Sequence, residues 1–377
     1  MKNLSPLARI GIKAALLFAL FNFLYVLIQP LDLLNQISIY NWLVPGRARL
    51  PFADYPESSF NLTLNSLDQM IVSHQIARPK APDEYRVAHL GDSGVWGYLL
   101  KPDQTQAACL SDLKVHTPDG RVVRAYNLGY PKLTVVKDLL ILRRALRYQP
   151  DLIIWSVSLA SLYPGDQLDF TVIRAHYDEV KALIDQYGFN FPEWVQISPP
   201  TLWDRSFLGQ RRAAADWLRH QMVGITWAAT GIDHVMPVFV PPHPTNLLPD
   251  DNVLSVNPIQ LRETRRFTPD DLALGVIAAG VAEAKALNVP IVIINEPIYR
   301  SPNHDLRYNT YYPKWAFDTY REAMVEAARV EGWFYRDLWD AVGSDQFTDT
   351  DFHLRAEANC AFAQQLRTAL QEFWVSP

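Results

Sequence analysis

A three-layer α/β domain built on a parallel sheet of about five strands is the fold class that this sequence predicts. Three observations carry the expectation. From about residue 85 onward, short apolar runs alternate with amphipathic stretches of helical length, the pattern of a parallel sheet with helices on both faces. Runs such as Asp151-Leu152-Ile153-Ile154-Trp155-Ser156-Val157 are apolar on both faces, as buried parallel strands are. The first run, residues 86–90, stops at Gly91-Asp92-Ser93, just ahead of Gly94 and Gly97. Such a stop presents the next side chain at the carboxyl edge of the sheet, where open α/β sheets bind ligands.

The elements follow in order. Lys2, Arg9 and Lys13 precede an apolar run that ends near Ile28 and is interrupted only by Asn22. Counted from Ile10 it holds about 19 residues, and at ~1.5 Å each that approaches the ~30 Å hydrocarbon core of a bilayer. Gln29-Pro30-Leu31-Asp32 offers no small-residue cleavage site. Residues 1–30 are therefore read as a cytoplasmic tip and an uncleaved anchor in the bilayer. Positive charge ahead of the span places the rest of the chain on the extracytoplasmic side of the cell membrane. Residues 31–84 read as a linker with an interfacial segment over 33–44, where Tyr40 and Trp42 suit either the headgroup layer or ordinary packing.

The domain proper spans 85–377. Strands are expected at 86–90, 121–127, 151–157, 289–294 and 333–335. Helices are expected at 104–113, 135–148, 269–287 (opened by Thr268), 314–330 and 355–373. Residues of about 164–265 break the rhythm and read as a largely helical insertion, with helices at 172–187 and 205–229. The second of these carries Trp217, Leu218, Met222, Ile225 and Trp227, with Arg211, Arg212 and Arg219 flanking. That face suits packing on its own domain or rest on a membrane surface.

With 377 residues, 49% of them apolar, and a net charge of −5, the chain can bury a full core and has no basic surface for nucleic acid. Its 27 prolines and 11 tryptophans point to long, ordered loops. Cys109 and Cys360 cannot by themselves make a metal site, and no cofactor is expected. They fall in the first and last helices of the domain, which leaves a disulfide and two buried thiols both open.

Ser93 becomes a nucleophile only with a base, and the base needs a carboxylate to fix its tautomer. His353, in a polar loop before the last helix, is the best placed of nine histidines. Asp349 and Asp351 stand four and two positions before it. An extended loop favours Asp351 and a coiled one favours Asp349. At the other strand ends, Asn295 and Glu296 either line the pocket or hold a turn. Tyr299, Arg300, His304 and Arg307 follow in a loop able to cover the site. Asp92 stabilises the serine turn or lines the pocket, and Trp155 reads as core.

These residues resemble the SGNH, or GDSL-type, hydrolases, which are flavodoxin-like serine esterases and acyltransferases. The resemblance spans roughly 85–375, the insertion apart. Its motifs match at Gly91-Asp92-Ser93, at Gly129 within Asn127-Leu128-Gly129, and at His353. It implies that the Ser93 and Gly129 amides serve as oxyanion donors. Two departures stand out. By register Ala160 occupies the position of the family's third donor, an asparagine, so that only Ser158 or Ser161 could substitute. The family's aspartate position, three before the histidine, holds Thr350, and the lead-in Phe347-Thr348-Asp349 favours Asp349 slightly. The implied function is an anchored serine esterase or O-acyltransferase acting on acylated carbohydrate or another ester. Proteins of similar layout work beside a multi-spanning membrane acyltransferase. The rival reading is a catalytically degraded domain that serves as an anchored binding or assembly subunit.

Overall fold

Alternation along each strand splits the core in two. The five strands, β1 (Glu84–Leu90), β2 (Val122–Asn127), β3 (Leu152–Val157), β4 (Ile291–Asn295) and β5 (Phe334–Asp337), are all parallel and lie in the order β2-β1-β3-β4-β5. This computed structural model describes residues 5–44, 46–53, 61–232, 268–302 and 306–374. The strand order is the flavodoxin-like one, with its crossover between β1 and β3.

The principal helices are α1 (Pro6–Ile28), α2 (Gln106–Asp112), α3 (Val135–Leu146), α4 (Tyr177–Tyr187), α5 (Phe207–Thr230), α6 (Leu274–Ala286), α7 (Lys314–Glu331) and α8 (Ala356–Ala369). Successive strand residues point to opposite faces. Val87, Ile154 and Ile294 pack with Leu110 of α2 and Phe362 and Leu366 of α8. Leu90, Trp155 and Ile293 face the other way, with Leu139 of α3, Ile277 of α6 and Phe317 of α7. Trp155 is fully buried and donates its indole N–H to Asp138 Oδ2 at 3.3 Å. A Cβ on Gly280 would stand 2.4 Å from the Trp155 ring, so only glycine lets α6 approach the sheet this closely.

Cys109 of α2 and Cys360 of α8 share one face of the sheet and are joined by a disulfide, with their Cα atoms 5.0 Å apart. The expected helix at 269–287 opens differently. Thr268 and Asp271 form a reciprocal box that closes the single turn Pro269–Asp271. Ala273 N–H then bonds Leu162 O, and α6 restarts at Leu274.

The stretch read as a linker is only partly one. Leu50, Leu64, Leu67, Met70, Ile71 and Ile76 join the core beside α3, and Asp68 pairs with Arg144 at 2.7 Å. Within the insertion, α4 is tied to α3 through Glu179 and Arg143 at 2.6 Å. The helix α5 instead follows α1 and the short helices Pro30–Leu34 and Ile39–Leu43. Of the described residues, α1 is the one helix long and apolar enough to cross a membrane, with 23 residues, a mean hydropathy of 2.0 and 6% of its apolar window buried. The insertion beyond residue 232 and His304 lie outside the described residues.

Candidate active site

The turn after β1 is built by Asp92. Its Oδ1 accepts the Gly94 N–H at 2.8 Å, capping the single helical turn Ser93–Trp96 and placing Ser93 at its first position. From behind, Trp96 donates its indole N–H to Leu50 O at 2.9 Å, and the Arg49 guanidinium lies 4.2 Å over the Trp96 ring. Gly129, after β2, passes so close that a Cβ there would meet Trp96 N at 2.5 Å.

At the same edge, residues 347–354 close on themselves. Phe347 and Leu354 pair as an antiparallel bridge, and Thr348 donates both its N–H and its hydroxyl to His353 O, at 2.8 and 3.0 Å. This coil turns the imidazole toward Ser93. His353 Nε2 stands 2.9 Å from Ser93 Oγ, and Nδ1 stands 2.8 Å from Asp349 Oδ1. A carboxylate can only accept, so Nδ1 carries the proton and Nε2 accepts from the serine. The Tyr98 ring stacks on the imidazole with centroids 4.7 Å apart. Burial pushes the Asp349 carboxyl up, but hydrogen bonds from His353 and Thr348 and the adjacent imidazole together hold it below its ordinary value.

Asp351 does not orient His353. It bonds the Thr310 hydroxyl, and its carbonyl accepts the Tyr299 N–H at 2.9 Å. The loop coils rather than extends, which brings the residue four positions back, not two, to Nδ1.

Of the two amides carried over as oxyanion donors, the Ser93 N–H has no protein acceptor among the described residues. The Gly129 N–H is engaged by Asn127 Oδ1 at 3.1 Å. The Asn127 amide nitrogen donates to Val95 O at 2.8 Å and Trp96 O at 3.3 Å, which fixes its oxygen toward Gly129. Ala160 lies at the pocket wall with no polar side chain to offer. Ser161 Oγ is closed on its own turn, accepting from Ser158 N–H at 3.0 Å and donating to Ser158 O at 2.8 Å. Ser158 is buried beside it, away from the pocket lining.

Ser93 opens into a cavity of about 410 Å³, walled by Pro131, Lys132, Leu133, Ala160, Asp166, Asp169 and Phe170. Of the pocket residues expected from sequence, Asp92, Ser158, Ser161, Asn295 and Glu296, none lines it. Asn295 is held between strands, donating to Asp337 Oδ1 at 2.8 Å and accepting from Tyr320 OH at 3.1 Å. Tyr299, Arg300 and Arg307 pack elsewhere: Tyr299 is buried, Arg300 lies over Trp339, and Arg307 is bonded to Asn309 O and Thr310 O. The wall comes instead from 131–133 and from the start of the insertion, which the motif spacing gave no means of aligning. The signal available was the aromatic and acidic run Asp166-Gln167-Leu168-Asp169-Phe170.

Glu296 belongs behind the serine turn. Its Oε2 and Asp92 Oδ1 border the same point, 3.6 and 3.4 Å from where a Cβ on Gly94 would stand, and the two carboxyls share a hydrogen bond. The nearby cation, Lys137, is fully buried and already bonds Gly91 O, Tyr130 O and Asp138 at 2.8, 2.9 and 2.7 Å. Burial, then the charge of Asp92 and the bond to it, then Asp138, hold the Glu296 carboxyl well above its ordinary value, and Lys137 offsets only part of this. Glu296 therefore favours the neutral form, and its proton bonds Asp92.

The fold and the site define a class: a flavodoxin-like α/β domain with a serine–histidine–aspartate chain of hydrogen bonds at the carboxyl edge of the sheet. Ser93 after β1, Gly129 after β2 and His353 before the last helix stand where the SGNH resemblance puts its motifs. No protein-family model matches the sequence, and no curated protein matches it. Among solved structures, the chain is similar to an acetylxylan esterase from Geobacillus stearothermophilus, at 11% identity over 77% of this chain and 96% of that one, with a TM-score of 0.38. It is also similar to a GDSL-like lipase from Bacteroides thetaiotaomicron, at 12% identity over 78% and 92%, with a TM-score of 0.36.

Proposed function

We propose that this protein is a membrane-anchored, extracytoplasmic serine acyl-ester enzyme acting on cell-surface or secreted glycans. The observation that carries the reading is the unbroken chain Ser93 Oγ, His353 Nε2, His353 Nδ1, Asp349 Oδ1, with links of 2.9 and 2.8 Å. Ser93 Oγ attacks an acyl carbonyl as its proton passes to His353 Nε2. The imidazolium that forms is stabilised by Asp349, and the Ser93 N–H meets the oxyanion. Collapse breaks the ester bond, and the leaving alcohol takes the proton from His353. Water or a sugar hydroxyl then attacks the acyl-serine, giving its proton to Nε2, and Ser93 recovers it on release. Water makes the protein an esterase and a sugar makes it an O-acyltransferase.

A glycan suits a cavity that sets Asp166 and Lys132 beside the Phe170 ring, since sugars offer hydroxyls along an apolar face. The membrane location rests on α1 and its flanking charge, and a multi-spanning acyltransferase in the same membrane would supply the acyl group in the transfer case. A second reading, an anchored binding or assembly subunit, is favoured by one specific observation: Ala160 and the engaged Gly129 amide leave the oxyanion with one free donor among the three positions.

A fluorophosphonate probe separates the two readings. Labelling of the wild type that disappears in Ser93→Ala and falls steeply in His353→Ala supports the enzyme. A folded wild type that never labels leaves the assembly role.

A further inference from the structure

The helix α5 follows the emerging chain of the anchor step by step. Phe207 packs against Phe21 and Tyr25 of α1, with centroids 5.2 and 5.5 Å apart, and Leu208 N–H bonds Asn22 Oδ1 at 3.2 Å. Gln29 then bonds Arg205 O at 2.9 Å and Gln210 at 3.1 Å. Trp217 reaches Leu34 O at 2.9 Å, Gln221 reaches Ile37 O and Ile39 N, and the Arg47 guanidinium lies 4.8 Å over Trp227. Residues 207–227 thus climb in parallel with residues 21–47.

That register sets a depth. Asn22 lies six residues before the end of α1 at Ile28, about 9 Å along the helix at ~1.5 Å per residue. If α1 crosses the bilayer, the first turn of α5 sits below the exit point of the anchor, and the short helix Leu202–Arg205 before it lies at that point, its Arg205 carbonyl bonded to Gln29 just past Ile28 and its Arg205 guanidinium paired with Asp178 of α4 at 3.1 Å. Their side chains fit that place: Leu202 is 76% exposed and Trp203 58%. Their backbone fits as well. The first N–H groups of a helix lack intrahelical partners, and hydrocarbon offers none. Here Leu208 N–H takes Asn22 Oδ1, and Gly209 N–H takes Ser206 Oγ at 3.1 Å. The same bond gives Asn22, the one amide side chain in α1, the partner that a residue at this depth needs. Arg211 and Arg212, exposed one turn further along, fall at headgroup level.

We propose that the helix Leu202–Arg205 and the first turn of α5 enter the outer leaflet beside α1, with Leu202 and Trp203 in contact with lipid. The protein is then held by two inserted elements, a spanning helix and a wedge seated on it. The proposal rests on the reading of α1 as a membrane span.

The experiment uses the full chain in vesicles of phosphatidylcholine and phosphatidylglycerol. The native cysteines are paired with each other, so a single added cysteine carries the nitroxide. Labels go on Leu202→Cys, on Leu16→Cys as a reference within the span, and on Glu331→Cys as a reference in water, all three positions being exposed in the protein. The expected result is that the Leu202 label, like that at Leu16, is relaxed by oxygen and loses the broadening by a water-soluble nickel chelate that the Glu331 label shows. Nickel broadening at Leu202 equal to that at Glu331, with Leu16 shielded, overturns the wedge and leaves the span standing. Broadening at Leu16 as well removes the membrane reading itself, and the wedge with it.

Discussion

The carboxyl pair behind the serine turn gives the most exacting prediction. Asp92 caps Gly94 through Oδ1 while sharing a hydrogen bond with Glu296, both buried. Glu296→Ala removes the donor and leaves an Asp92 oxygen buried without it, at a cost of about 1–3 kcal/mol, to which the vacated side-chain volume adds. Glu296→Gln keeps a neutral donor in the same place and stays within about 1 kcal/mol of wild type. Urea unfolding at neutral pH measures both variants. The pH dependence supplies a sign. The folded value of Glu296 lies above its ordinary 4.5. Its contribution is therefore complete below about 4.5 and is lost as pH rises toward the folded value. The groups facing it are Asp92, Lys137, Asp138, Tyr312 and Tyr320, and all are retained in Glu296→Gln. Wild type should thus lose stability relative to Glu296→Gln as the pH rises. Equal destabilisation by Ala and Gln, or a difference that is flat with pH, refutes the shared proton.

Two further outcomes follow from the site and the fold. Asp349→Asn presents the wrong tautomer to Ser93 and should slow fluorophosphonate labelling by a factor on the order of 10⁴, whereas Asp351→Asn, at a residue that bonds Thr310 and not the imidazole, should leave the labelling rate within about tenfold. Replacing Cys109 and Cys360 by serine should lower the unfolding free energy by about 2–5 kcal/mol, read by urea titration of the oxidised protein against the double variant, since the bridge closes a loop of 251 positions.

Much of the architecture could be read from period and punctuation. Apolar runs marked β3 and β4, the glycine-bounded stop after Leu90 marked β1 and the serine, and a polar loop before the last helix marked His353. What could not be read depends on how side chains choose among neighbours. Whether Asp349 or Asp351 meets Nδ1 follows from a coil fixed by two bonds from Thr348 to His353 O, which no spacing rule contains. Asn295 and Glu296 end a strand at the right edge, yet β5 claims the first and Asp92 the second. Half of the pocket lining, Ala160, Asp166, Asp169 and Phe170, comes from residues 160–170, where the motif pattern ends. The core role of Leu50 and of Leu64 to Ile76 was hidden by the prolines around them, which read as a tether.

The disulfide between α2 and α8 has a practical consequence. The nucleophile sits 13 residues before the start of α2 at Gln106 and its base three before the start of α8 at Ala356, so the bond staples the two halves of the chemistry to a common frame. A single cut anywhere between the cysteines leaves hydroxyl and imidazole on covalently connected pieces. A nicked preparation would run as one species on a non-reducing gel, and it would come apart only when a thiol is added.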